Sequence, residues 1–137
     1  VCSYSYLSNH YNLLVTKKLR SKTLIFSTKT ITIVKTLYRL GIISNFFIFK
    51  KQISSKTKTL QKYIRFTVFF YKNNPFFSKI KLISTSSKVF SINIKTLKLL
   101  KNTFRSSLVI LSTPYGLLSH KEALKLNTGG KLLYIII

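Results

Sequence analysis

The chain has 137 residues, 24 Lys and Arg against a single acidic residue, and a formal net charge of +23. It contains no Asp, and its metal-binding or proton-moving groups are few: Glu122, Cys2, His10 and His120. That inventory excludes paired-carboxylate hydrolysis, carboxylate-held divalent ions, a Ser-His-Asp triad, a structural zinc site and a disulfide framework, so a binding protein is expected, with no enzyme activity, cofactor, metal or small-molecule substrate.

With 46% apolar residues the chain can bury a core. Tyr4, Leu7, Tyr11, Leu14 and Val15 recur at helical spacing over residues 4–16. Lys22 to Phe26 reads as a short strand. Ser27 as N-cap, the apolar stripe Ile31, Val34, Leu37 and Tyr38, and Gly41 as stop predict a helix. Ile42 to Phe49 and Tyr63 to Tyr71, rich in aromatic and β-branched residues, predict two strands joined by a long polar hairpin loop, Lys50 to Thr59. Asn73-Asn74-Pro75 breaks the pattern and sets the expected boundary between two halves, 1–73 and 74–137.

Beyond it, Ser78–Ile83 and Lys88–Ile92 read as strands around Thr85-Ser86-Ser87, and Ile94 to Leu100 fits either helix or strand. Leu108 to Leu111 is a compact apolar strand, and Ser112-Thr113-Pro114-Tyr115-Gly116 a turn-rich loop. Ser119-His120-Lys121-Glu122 matches the capping box, in which the Ser119 hydroxyl and Glu122 carboxylate each accept from a free N–H of the other residue. A short helix then runs to Leu126, and Gly129-Gly130 leads into a last strand, Leu132 to Ile137. The expected fold class is α+β: helix-strand-helix-strand-strand in the N-terminal half, and a mostly β C-terminal half with one short capped helix.

Lys and Arg are spread from Lys17 to Lys131 among apolar runs, so the whole body is basic and its counter-charge must come from outside. A polyanion, either nucleic acid or an anionic membrane surface, supplies it. No transmembrane segment is expected: the uncharged stretches Val1–Thr16 and Ser106–His120 are broken by polar and turn residues and fall short of the ~20 apolar residues a spanning helix needs. The helix over Thr28–Leu40 carries only Lys29, Lys35 and Arg39 and lies between strands, as a packed helix does and a membrane-surface helix does not. Nucleic acid is the favoured partner. The alternatives are a membrane-surface protein and a basic organellar protein that binds DNA as well as RNA. Ser112 and Thr113 offer hydroxyls suited to phosphate or the ribose 2′-OH, although the same residue types make ordinary turns. His120 reads as a solvated surface residue and His10 as a core-edge or surface one. Phe, Ile, Lys, Asn and Tyr supply 63 residues and Gly, Ala, Arg and Pro only 11, which points to an AT-rich gene of an organelle or an AT-rich nucleus.

The run Ile110-Leu111-Ser112-Thr113-Pro114-Tyr115-Gly116-Leu117-Leu118-Ser119-His120-Lys121-Glu122-Ala123, followed by Asn127-Thr128-Gly129-Gly130, resembles the C-terminal signature of small-subunit ribosomal protein family eight. Ser27 opening a helix with Ile33 and Leu37, closed by Gly41-Ile42-Ile43, is similar to that family's second helix and following strand. Lys81, Ile83-Ser84 and Lys88-Val89-Phe90 resemble its next conserved stretch, so the likeness covers nearly the whole chain. The chain departs from the pattern at Pro114, at Ser86-Ser87 and at Lys131, where the family carries Ser, Pro-Gly and an acid, and it lacks the acids of the family's first helix.

The resemblance implies a two-domain α+β protein that binds the central domain of the small-subunit ribosomal RNA early in assembly, among neighbouring ribosomal proteins. Its main RNA surface would be the C-terminal domain, with Ser112, Thr113, Tyr115 and Gly116 in the loop and Lys88 and Phe90 beside it. Together with the composition it implies a mitochondrial ribosome, with a plastid ribosome as alternative. The first residues show neither a secretory signal nor an Arg-rich presequence, so synthesis inside the organelle is expected unless a presequence lies outside this chain.

Overall fold

The computed structural model describes residues 3–53, 56, 59–85, 87–103 and 107–137. In chain order the elements are α1 (Ser3–Thr16), β1 (Ser21–Ile25), α2 (Thr28–Arg39), β2 (Ile43–Gln52), β3 (Leu60–Val68), β4 (Phe70–Tyr71), β5 (Asn74–Pro75), β6 (Ile80–Leu82), β7 (Ser91–Ile92), α3 (Ile94–Leu100), β8 (Leu108–Thr113), β9 (Gly116–Ser119), α4 (His120–Lys125) and β10 (Gly130–Ile136). Helices beside antiparallel sheets make this an α+β fold.

Two compact units divide the chain: Leu13–Phe76, here the N-terminal unit, and Val1–Asn12 with Phe77–Ile137, the C-terminal unit. The division falls inside α1 rather than leaving all of residues 1–73 together, and the hydrogen bonds say why. The Asn12 amide donates to the Ile80 carbonyl and accepts from the Ile80 N–H, both at 2.8 Å, completing the free edge of β6. The Tyr11 hydroxyl donates to the Phe77 carbonyl at 3.2 Å, and the Tyr134 hydroxyl to the Tyr4 carbonyl at 2.6 Å. Buried backbone acceptors of this kind need partners, and α1 supplies them across more than sixty residues of sequence.

In the N-terminal unit, Ser27 caps α2 by accepting from the Thr30 N–H. The Gly41 N–H donates to the Tyr38 carbonyl and the Ile42 N–H to the Leu37 carbonyl, a Schellman ending that needs the left-handed Gly41 (φ +83°). The helix buries Ile33, Val34 and Leu37. The sheet has the order β1-β3-β2, all antiparallel. Register places Leu24–Ile64–Ile48 and Lys22–Phe66–Phe46 on one face, where Tyr38 of α2 packs edge-on against Phe46. The other face carries Thr23–Arg65–Phe47 and Ile25–Tyr63–Phe49. The Ile53 N–H donates to the Thr59 carbonyl at the end of this hairpin. Residues 54, 55, 57 and 58 of the expected loop lie outside the described residues.

In the C-terminal unit the sheet runs β6-β10-β8-β9, with β7 also pairing β10. One face packs a core of Ile92, Leu97, Val109, Leu111 and Ala123, with Leu132 and Ile135 of β10 against it. Residues 94–100 form a helix because Asn93 caps it, its side chain accepting from the Thr96 N–H at 2.8 Å. The expected loop is shorter than its composition suggests: Ser112 and Thr113 extend β8, Gly116 to Ser119 form β9, and only Pro114 and Tyr115 turn the chain.

Gly129 and Gly130 are required by close approach. A Cβ on Gly129 would meet the Ile92 carbonyl oxygen, and one on Gly130 the Ser112 carbonyl oxygen. Gly130→Ala must therefore push β10 away from β8 and should cost about 1–3 kcal/mol, the usual range for overpacking, read as a lower urea midpoint. At α4, Ser119 accepts from the Glu122 N–H at 3.3 Å and donates its own N–H to Glu122 Oε2 at 3.4 Å. Since Gln can accept the same bond, Glu122→Gln should lose only the charge–dipole contribution of about 0.3–1 kcal/mol, and Glu122→Ala about 1 kcal/mol, measured by thermal unfolding.

Candidate nucleic-acid interface

The β8–β9 hairpin is built around Thr113. Its hydroxyl donates to the Gly116 carbonyl at 2.8 Å and accepts from the Tyr115 N–H at 3.2 Å, closing the turn from inside. Thr113 is accordingly buried, its hydroxyl committed to the fold. Pro114 sits at the first turn position, where its fixed φ is favourable, and Gly116 takes φ +106°, a conformation that suits glycine. The turn leaves Tyr115 at the tip, 68% exposed.

Strand alternation sends Ser112 to the opposite face from Thr113 and Leu111. There it pairs with Lys131 of β10, which in turn pairs with Ser91 of β7. Lys131 faces away from the core that Leu132 joins, so Ser91, Lys131 and Ser112 form a cross-strand row of hydroxyl, ammonium and hydroxyl. Ser91 and Ser112 lie two strand spacings apart, about 10 Å.

The backbone of Phe90 is held against β10, one residue before Ser91. Its carbonyl accepts from the Leu132 N–H at 2.8 Å, and its N–H donates to the Ser84 hydroxyl at 3.0 Å. Ser84, in turn, is buried and donates back to the Phe90 carbonyl. Lys88 and Thr85 exchange backbone hydrogen bonds, a tight turn that leaves Lys88 exposed two residues before Phe90. Ser86 lies outside the described residues. Of the six residues expected to meet RNA, the fold thus brings Phe90 and Ser112 to the start of β10, leaves Lys88 in the exposed turn with Thr85, and leaves Tyr115 and Gly116 at the hairpin tip. Thr113 faces inward.

Residues 7–137 match the family described as Ribosomal protein S8. The chain belongs to the ribosomal protein S8 family. No match was found among curated proteins. S8 proteins are structural constituents of the small ribosomal subunit that bind ribosomal RNA alongside other ribosomal proteins, and they are not an enzyme family.

Two features of this S8 protein were not legible in its sequence. Lys131 stands out there only as a departure from the family pattern; its place between two serines depends on the pairing of β7, β10 and β8. His120 is not the solvated surface residue its neighbours Ser119, Lys121 and Glu122 suggest. It is 2% exposed, and its Nδ1 accepts from the Val109 N–H of β8 at 3.2 Å, tying the start of α4 to the sheet beneath the hairpin. Among the described residues no group of three or more His, Cys, Asp or Glu is placed to hold a metal, and no helix is long and apolar enough to cross a membrane.

Burial, reinforced by the adjacent Lys121 charge, lowers the His120 pKa from its ordinary 6.5. A protonated Nδ1 would also present a second donor to the Val109 N–H. Below pH 6.5 the unfolded chain therefore takes up a proton that the folded chain resists, so stability is complete above that pH and declines as pH falls toward the folded value. Urea unfolding at neutral pH and under mild acid should show this loss. His120→Gln should be less stable at neutral pH and show a smaller fall in acid, which separates His120 from the other histidine.

Proposed function

We propose that this S8 protein binds the central domain of the small-subunit ribosomal RNA and supports subunit assembly, through the open end of the C-terminal sheet. The observation that carries the reading is the Ser91–Lys131–Ser112 row beside the β8–β9 hairpin, in a chain with a net charge of +23. Lys131 and Lys88 meet phosphates as point charges. The hydroxyls of Ser112 and Ser91 bond phosphate oxygens or ribose 2′-OH groups without adding charge, and contacts to the 2′-OH distinguish RNA from DNA. Gly116, which has open space around its Cα, lets a backbone approach. Tyr115 and Phe90, 68% and 44% exposed, offer faces on which unpaired bases at a helical junction stack. Thr113 acts by holding the turn rather than by touching RNA.

The mitochondrial ribosome is the proposed location, supported by the AT-rich residue usage, with the plastid ribosome as the competing one. Mass spectrometry of purified ribosomes from the two organelles tests this directly. Co-sedimentation with small subunits at high salt tests the assembly role.

Binding to a central-domain RNA fragment should be steeply salt-dependent. If about 6–10 phosphates are neutralised, affinity falls roughly 10³–10⁵-fold between 50 and 200 mM salt. Ser112→Ala should weaken the complex by about 1 kcal/mol at every salt concentration, the net worth of one hydrogen bond. Lys131→Ala should instead lower the salt slope by roughly one. Filter binding across a salt series separates the two, and a salt-insensitive complex would sink the reading.

A further inference from the structure

The outer face of the N-terminal sheet has no part in the interface above, and its chemistry is unusual for an uncovered surface. Phe47 is 48% exposed, and Phe49 stacks on Tyr63 with centroids 5.7 Å apart and planes 24° from parallel. The Arg65 guanidinium lies 5.7 Å from the Phe47 ring centre and 5.6 Å from that of Phe49. Arg65 Nε donates to the Thr23 hydroxyl at 3.3 Å, which holds the guanidinium beside both rings. A cleft of about 400 Å³ opens here, lined by Phe49, Tyr63, Arg65, Thr23, Lys51 and Gln52 among others. That is within the size range of a small-molecule pocket and suits a nucleoside.

We propose that this face is a second RNA site, one that stacks unpaired bases on Phe47 and the Phe49–Tyr63 pair while Arg65 and Lys51 receive the phosphates. One exposed and two half-buried rings set among cations call for an occupant that is flat, apolar on its faces and anionic along its edge. A single RNA strand has all three properties, and its bases stack on aromatic side chains irrespective of sequence. A duplex hides its base faces and cannot use the rings. Charge complementarity favours the same occupant, since the chain has one acid in 137 residues and that acid, Glu122, lies in the other unit. The inference rests on the reading of the chain as an RNA-binding protein, but uses a different unit and a different mode of contact.

The chain contains no Trp, so Phe47→Trp places a single fluorescent reporter on the platform of the full-length protein. An oligo(A) of about eight nucleotides should quench its emission, whereas inorganic polyphosphate of equal charge should bind without quenching. Phe47→Ala, with its fold checked by circular dichroism, should weaken oligo(A) binding about five-fold or more and leave the central-domain fragment within roughly two-fold. Arg65→Ala, at an exposed position, should do the same and serves if Phe47→Ala fails to fold. Unchanged oligo(A) affinity in the folded variants, or quenching by polyphosphate or by fully paired RNA equal to that by oligo(A), overturns the stacking site and leaves the face to a protein partner. A chain that binds oligo(A) through Phe47 but not the central-domain fragment would instead overturn the proposed function and leave this site standing.

Discussion

The C-terminal unit depends on how closely β10 can approach its neighbours at Gly129 and Gly130. A side chain at either position would collide with a backbone carbonyl, of Ile92 in one case and Ser112 in the other. Because the backbones meet there, β10 pairs with β7, β8 and β6 along its length and closes the core formed by Leu97, Val109, Leu111 and Ala123. The same approach puts Lys131 between Ser91 and Ser112. The packing requirement and the proposed binding surface thus have one cause.

Charge is the second constraint. With +23 and one acid, the protein cannot neutralise its cations internally, and its stability and its appetite for polyanions are linked. The sole acid is placed where a carboxylate contributes to the fold, at the first turn of α4. Next to it, His120 is buried neutral against β8, so this corner of the unit gains no further positive charge at neutral pH. Hydroxyls do much of the remaining local polar work: Ser27, Ser84, Thr113 and Ser119 all bond backbone groups close by in sequence.

Aromatic residues are put to two different uses. In the C-terminal unit Tyr134 and Tyr11 are buried and send their hydroxyls to carbonyls of Tyr4 and Phe77, so their rings serve packing. In the N-terminal unit Phe47, Phe49 and Tyr63 share the sheet face opposite α2 and stand beside Arg65 instead. Composition cannot separate these uses. Strand register does, because it decides which ring points to which face.

By itself, the sequence determined what was local. Ser27 and Gly41 set the two ends of α2, and Ser119 with Glu122 the start of α4, each through bonds to residues three positions away in the chain. The spacing of apolar residues over short windows pointed to the α+β class, and the +23 charge with its near absence of acids pointed to an anionic partner, since the first is a local pattern and the second a sum over residues. What only the tertiary structure decided was long-range. Asn12 and Tyr11 assign the first turns of α1 to the C-terminal unit by bonding Ile80 and Phe77, and nothing near them in sequence indicates this. Ser112 and Thr113, adjacent in one loop-like motif, take opposite roles because β8 continues through them, sending one hydroxyl toward Lys131's face and the other into the turn. Lys131, His120 and Phe47 gained their surroundings from strands and helices distant in the chain, and spacing along a sequence carries no record of such neighbours.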